Sequence, residues 1–326
     1  MQSAVADTLL YLSNEAIEAI GLGPAELIDA VERAFAAKAA GAARIGPKSV
    51  VPVSTGHSFH AMPGVLREAG LAGMKFFGVV PGNPARGLPN VCSVIVLSDL
   101  ATGMPVCMMD GGWITAVRTA AMTAVAARRL APEDAEAAAF VGCGVQAQSH
   151  ALMLRQVLPG LRQAVLLGRS VSRRDAFAGW LRDTGWQVRL AADPRDAVAA
   201  ADVVVTTVPE APGGAPFLEA AWLPDECFVA AVDLGRTWLP SSHREFGFIA
   251  TDDVEQSRGL VAEGRLKAPP EFDADLCSLA SGAYRGGVPA GRTFFVFSGH
   301  ALGDLAVAAA LYQRAVAQGI GMRLPR

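Results

Sequence analysis

Between residues 13 and 40 the apolar side chains Ile17, Ile20, Leu27, Ile28, Val31 and Phe35 recur at spacings of three and four. That period predicts two packed helices, with Pro24 opening the second. The rhythm then changes. Runs 49–53, 71–80 and 91–98 are strand-like, separated by turn chemistry at Pro81-Gly82-Asn83-Pro84 and by 99–105 around Gly103. The first hundred residues therefore read as an α+β unit. A small-residue helix over 115–130 leads into strand-like runs at 137–141, 164–167, 187–190, 202–208, 227–232 and 247–250, with helical stretches 145–158, 173–182 and 195–200 between the first four. Apolar strands alternating with helices predict a parallel sheet covered on both faces, the doubly wound α/β class. An Ala-rich helix over 301–318 follows, ending near Gly319.

Length sharpens this picture, because 326 residues exceed what one hydrophobic core organises. A formal net charge of −3 with Lys and Arg spread along the chain excludes a phosphate-tracking stripe, so no nucleic-acid partner is expected. The hydrophobic fraction of 52% is largely Ala and Val broken by Gly, Pro and charge. No run approaches the roughly 18 apolar residues of a membrane span, so no membrane partner is expected either. The first twelve residues lack a basic segment, apolar stretch and cleavage site, which predicts a cytoplasmic protein. Cys92, Cys107, Cys143, Cys227 and Cys277 are widely spaced, with no C-x-x-C pair. They read mostly as reduced structural thiols, and no metal site is expected.

The first candidate chemistry lies at Phe140-Val141-Gly142-Cys143-Gly144-Val145-Gln146-Ala147, where an apolar strand gives way to a helix with the spacing G-x-G-x-x-A. Gly142 suits a tight turn, Gly144 a close approach of backbone to a pyrophosphate, and Ala147 close helix-strand packing; the N–H groups from Val145 and Gln146 onward face the anion. About twenty residues on, an NAD site places an acid on the ribose 2′-hydroxyl. This chain has Leu167-Gly168-Arg169-Ser170-Val171-Ser172-Arg173-Arg174 instead. Arg169, Ser170 and Arg173 suit a 2′-phosphate, so NADP(H) is favoured and NAD(H) remains an option. An ordinary solvated helix start is the plainer reading of the same residues. Thr206 and Thr207 end the fourth strand, at the carboxyl edge of the sheet where a cofactor runs.

Several further stretches carry a resemblance: Ala61-Met62-Pro63-Gly64, Gly73-Met74-Lys75, Pro81-Gly82-Asn83, Gly87-Leu88-Pro89, Met109-Asp110-Gly111-Gly112 and Thr115-Ala116-Val117-Arg118-Thr119-Ala120-Ala121. With the glycine fingerprint, they make the chain resemble the ornithine cyclodeaminase and mu-crystallin family of NAD(P)-dependent enzymes. The resemblance implies a Rossmann domain over 117–299 and a substrate-binding and dimerisation domain from 1–116 with 300–326, hence a homodimer. It places a substrate carboxylate on Lys48, Lys75 and Arg118, with Lys48 standing where the family usually has Arg. It also places Asn90, Val208, Val232 and Gly299 at the cofactor. Read without it, Lys75 is equally a surface residue and Arg118 a helix ion pair.

The family's cyclodeaminases carry an Asp in an A-[VI]-G-x-D pattern after the fifth Rossmann strand. Here Ala231-Val232-Asp233-Leu234-Gly235 puts Gly235 in that place and Asp233 two residues early. His300 stands where the family has an apolar residue, and reads either as a proton donor or as a helix cap. His57 and His60 read as entrance residues or as solvated loop residues. The resemblance therefore implies an oxidoreductase acting on C–N bonds, first an NADP(H)-dependent reductase of pyrroline- or piperideine-2-carboxylate type. Its ligand would be an amino acid or cyclic imino acid carboxylate. Ornithine cyclodeaminase or an amino-acid dehydrogenase is the alternative, and a non-catalytic NADPH- or ligand-binding protein a further one.

Overall fold

The computed structural model describes residues 8–210 and 213–325. The chain divides into two compact units: residues up to Arg118 together with those from His300, and Thr119–Gly299.

In the first unit, β1 (Thr8–Leu12) precedes helices α1 (Asn14–Ile20) and α2 (Pro24–Ala39), the two that the apolar period predicts. Ser13 caps α1 by accepting from the Ala16 N–H, and Gly21 ends it in the left-handed conformation. Six strands follow: β2 (Ala43–Ile45), β3 (Ser49–Ser54), β4 (His57–Leu66), β5 (Leu71–Val79), β6 (Val91–Asp99) and β7 (Pro105–Asp110). They join β1 and the last strand, β16 (Met322–Pro325), in one mixed sheet of order β16-β1-β7-β6-β5-β4-β2, with β3 on β4. Among the described residues of this sheet, only β1 and β7 run parallel. The last helix, α9 (Ala301–Gln318), lies on one face of this sheet, over β4, β5 and β6. Gly64 and Gly73, opposite each other on β4 and β5, let it come close. A Cβ on either would stand 2.8 Å from a methyl of Leu305. The other face keeps Val51, Phe59, Met74 and Phe76 exposed.

Helix α3 (Gly112–Leu130) crosses the boundary between the units. It starts three residues before the predicted point, because the Asp110 side chain accepts from the Gly112 N–H at 2.7 Å. In the second unit β8 (Ala137–Val141), α4 (Val145–Val157), β9 (Gln163–Leu167), α5 (Val171–Asp183), β10 (Gln187–Leu190), α6 (Pro194–Val198) and β11 (Val203–Thr206) alternate as the pattern predicts. Next come β12 (Cys227–Ala231), β13 (Phe248–Thr251), α7 (Val254–Ala262), β14 (Ala274–Asp275), α8 (Leu276–Ser281) and β15 (Arg292–Val296). All pair in parallel, in the order β10-β9-β8-β11-β12-β15-β13-β14. Every residue of β8, β11 and β12 is buried, as a sheet covered on both faces requires. The strand order reverses between β8 and β11, which opens a crevice at their carboxyl ends.

Several strands escape the hydrophobic pattern. β4 carries His57, Ser58, His60 and an internal Pro63-Gly64, and β7 opens on Pro105; proline within a run argues against a strand in a sequence reading. β15 is taken into the sheet between β12 and β13, out of chain order.

Candidate functional site

The glycine turn sits at the crevice of the second unit. Gly142 has φ +101°, and a Cβ there would stand 2.7 Å from Thr207 Oγ1 and 3.0 Å from the Thr207 carbonyl carbon and oxygen. Only glycine holds that turn. Gly144 caps α4 without a side chain, and nothing lies within 4 Å of where its Cβ would be. The first N–H groups of α4 therefore have no side-chain cap and an open approach, which fits a pyrophosphate. Val145, the first residue of the helix, is 68% exposed.

A cavity of about 510 Å³ opens from this turn. Gly142, Gly144, Gly168, Arg169, Ser170, Arg173, Thr207 and Val208 are among the residues that line it. Ser170 caps α5, accepting from the Arg173 N–H at 3.4 Å. Arg174 turns to Asp175, donating to its Oδ1 at 3.1 Å from both Nε and Nη2. Thr206 does not line the cavity. It is fully buried and donates to Asp233 Oδ1 at 3.0 Å, while its neighbour Thr207 faces the cavity and donates to the Gly142 carbonyl. Gln146 follows Val145 in the first turn of α4, half-buried.

In the first unit Lys75 points from β5 toward α9 with 2% of its surface exposed. Its Nζ donates to Thr115 Oγ1 at 2.6 Å and to Asp304 Oδ1 at 2.9 Å. Arg118 on α3, also buried, forms an ion pair with the same Oδ1 at 3.2 Å. Burial drives the Lys75 ammonium down to about 8; Asp304 pulls it back up and Arg118 pushes it lower. Lys48, in the loop between β2 and β3, places Nζ 5.5 Å from the centroid of the Phe77 ring, and Lys75 lies 5.2 Å from the same centroid. His60 stacks on that ring at 4.4 Å and shares a 2.7 Å hydrogen bond with Ser58. Sequence reasoning named Lys48, Lys75 and Arg118 but missed Asp304 as the group that joins two of them. The available signal was a carboxylate in the first turn of a helix whose first three turns are otherwise free of charge.

The remaining candidates separate. His300 caps α9: its Nδ1 accepts from the Leu302 N–H at 3.3 Å and its ring lies 5.2 Å from Phe35. Asn90 is exposed in the first unit, where its carbonyl accepts from Val80 N–H and closes the β5–β6 loop. Gly299, at φ +85°, accepts through its carbonyl from Gln256 Nε2 at 3.2 Å. Val232 is half-buried in the turn after β12, and Asp233 beside it is buried. Burial raises the Asp233 carboxyl to about 6 against the pull of Thr237, Thr206 and Arg236. Gly235 has φ +72°, and a Cβ there would stand 2.2 Å from the Lys267 carbonyl oxygen. No side chain fits at that position, so the acid cannot sit there. Cys107, Cys227 and Cys277 are buried and Cys92 is exposed. Burial raises the Cys107 thiol to about 12 and the Cys143 thiol to about 11. Among the described residues no group of three or more His, Cys, Asp or Glu is placed to hold a metal ion, and no helix is long and apolar enough to cross a membrane.

A doubly wound parallel sheet with a glycine turn at its crevice, joined in one chain to an α+β unit that carries a buried cation cluster, defines a Rossmann-type enzyme class. The chain belongs to the ornithine cyclodeaminase/mu-crystallin family, whose model matches residues 10–319. The enzymes of that family act on C–N bonds. An alanine dehydrogenase of Archaeoglobus fulgidus is 29% identical over 97% of this chain and 98% of its own. A Delta(1)-pyrroline-2-carboxylate reductase of Bacillus cereus is 29% identical over 81% of this chain and 83% of its own. Among solved structures, an archaeal alanine dehydrogenase dimer with bound NAD superposes with a TM-score of 0.87 and 27% identity, covering 97% of this chain and 99% of that one.

Proposed function

We propose that the protein is an NADPH-dependent reductase of cyclic imines bearing a 2-carboxylate, of the pyrroline- or piperideine-2-carboxylate type. The observation that carries this reading is the buried cluster of Lys75 and Arg118 on one carboxylate. Two cations against one anion leave a net positive charge in a desolvated place, which suits a substrate carboxylate. Lys48, held over the same aromatic ring as Lys75, adds a third cation.

When bound, the reduced nicotinamide supplies a hydride for the imine carbon. The chain supplies the rest: Arg118 and Lys48 orient the carboxylate, and Lys75 brings a proton to the imine nitrogen. The open N-terminus of α4 receives the pyrophosphate. Arg169, Ser170 and Arg173 on the cavity wall favour a 2′-phosphate, hence NADPH over NADH. The exposed apolar sheet face of Val51, Phe59, Met74 and Phe76, with Phe59 and Phe76 stacked at 6.0 Å, supports a homodimer like that of the archaeal relative.

A second reading, ornithine cyclodeaminase, draws on Asp233, a buried carboxylic acid raised to about 6. Absorbance of the reduced cofactor separates the two. Oxidation of NADPH with pyrroline- or piperideine-2-carboxylate is the expected result, and proline and ammonia from ornithine with NAD would overturn it. In R169A the KM for NADPH should rise about 10- to 100-fold, the loss of a charge-assisted contact, with NADH kinetics little changed. Equal effects on both cofactors would remove the 2′-phosphate assignment.

A further inference from the structure

Lysine at position 75 is an unusual choice for a strand face buried under a helix. The fold makes room for it. Leu305 seats on the paired glycines Gly64 and Gly73, so α9 comes down onto the sheet where Lys75 follows Gly73 on the same face. The residue before Leu305 is Asp304, fully buried in the first turn of α9, where the helix dipole favours a negative charge. Its Oδ1 meets Lys75 Nζ at 2.9 Å and Arg118 Nε at 3.2 Å, while Oδ2 accepts no hydrogen bond among the described residues.

We propose that Asp304 is the positioning residue of this site: by dividing one oxygen between Lys75 and Arg118, it keeps Lys75 charged as the proton donor and Arg118 aimed as the carboxylate clamp. The proposal rests on the reductase reading above.

The hydrogen-bond inventory of Lys75 supports it. An ammonium has three N–H donors. One goes to Thr115, whose own hydroxyl proton is committed to the Gly111 carbonyl at 2.6 Å, and one goes to Asp304. The third is left for a substrate atom. In the reaction the C=N π pair moves onto nitrogen as hydride arrives at carbon, nitrogen takes a proton from Nζ, and the neutral amine of Lys75 is reprotonated from solvent. Burial opposes the charged form, and Arg118 adds repulsion. Asp304 is the group that opposes both. The other titratable groups on this face include Lys48 and His60, both against Phe77, His300 at the cap of α9, and Cys107 of β7, which interacts with Tyr312 of α9.

The test is D304N, which keeps the shape and removes the charge, with D304E as the variant that restores charge. Activity that needs a protonated Lys75 falls as pH rises through its pKa. With Asp304 neutralised, that basic limb should move from about 8 to lower pH by about one unit or more and kcat at pH 8 should fall about fivefold or more, while the KM for NADPH stays within about twofold. D304E should return the limb toward its original place. The chain has four lysines, so 13C-ε lysine labelling gives four signals, and Lys75 is assigned by K75R. Its titration should shift with the kinetic limb. A folded D304N whose limb and Lys75 signal both stay put would overturn the proposal. Should D304N not fold, R118M decides: it hands the whole carboxylate to Lys75, whose titration must then move up, and an unmoved signal overturns the sharing. Wild-type protein inactive on every imine would sink the reductase reading instead, with the lysine titration still reporting on Asp304.

Discussion

Asp304 in the first unit and Asp233 in the second are both buried carboxylates, and the two keep opposite company. Asp304 meets two cations, Lys75 and Arg118, on a helix pressed against a sheet. Asp233, in the turn after β12, accepts a hydrogen bond from the Thr206 hydroxyl, and burial raises it to about 6. Both are nearly inaccessible, at 0% and 5% exposure, so burial does not distinguish them. What does is whether the desolvated charge meets two cations at contact distance or chiefly hydroxyl dipoles, with Arg236 adding a smaller pull. The first arrangement makes an anchor for cations; the second makes an acid that changes state near pH 6.

The strongest way to break this contrast is D304A. It leaves Lys75 and Arg118 buried without their anion and should cost about 3–5 kcal/mol in urea unfolding. A loss below about 1 kcal/mol would mean the cations had found water, and the anchor description would fail. D233N should act in the opposite direction at neutral pH. The folded pKa of about 6 lies above the ordinary 3.8, so the folded state binds the proton more tightly than the unfolded chain. That contribution is fully present below pH 3.8 and is lost as pH rises through about 6. About two pKa units amount to roughly 3 kcal/mol. Wild-type stability should therefore carry a component of that size that falls between pH 4 and 7 and disappears in D233N. Matching pH-stability curves for the two proteins would end the claim. G235A is the smallest change, a strained left-handed position with a Cβ against the Lys267 carbonyl, and should cost about 2 kcal/mol in thermal unfolding. A neutral G235A would show that this turn can move, and that the acid's place at 233 is not forced by backbone.

Much of this was open to a reading of the chain alone. The alternating apolar segments from 137 to 206 specify a parallel sheet, because strands buried on both faces must be apolar throughout and their crossovers need helices. The glycine turn is likewise local, since its function depends on the backbone of a few successive residues. β4 was hidden by its histidines and Pro63, whose burial or exposure is decided by α9 and by neighbouring strands rather than by period.

The sequence by itself determined the α/β class, the dinucleotide turn and the basic residues after β9, all written in contiguous stretches where local period and spacing suffice. Only the tertiary structure decided that Asp304, 229 residues from Lys75, closes the cation cluster, and that Lys267 leaves no room for an acid at Gly235. Those are facts of packing between distant segments: an acid in a mostly apolar helix marks itself in the order of residues, but the partner it meets across such a distance does not.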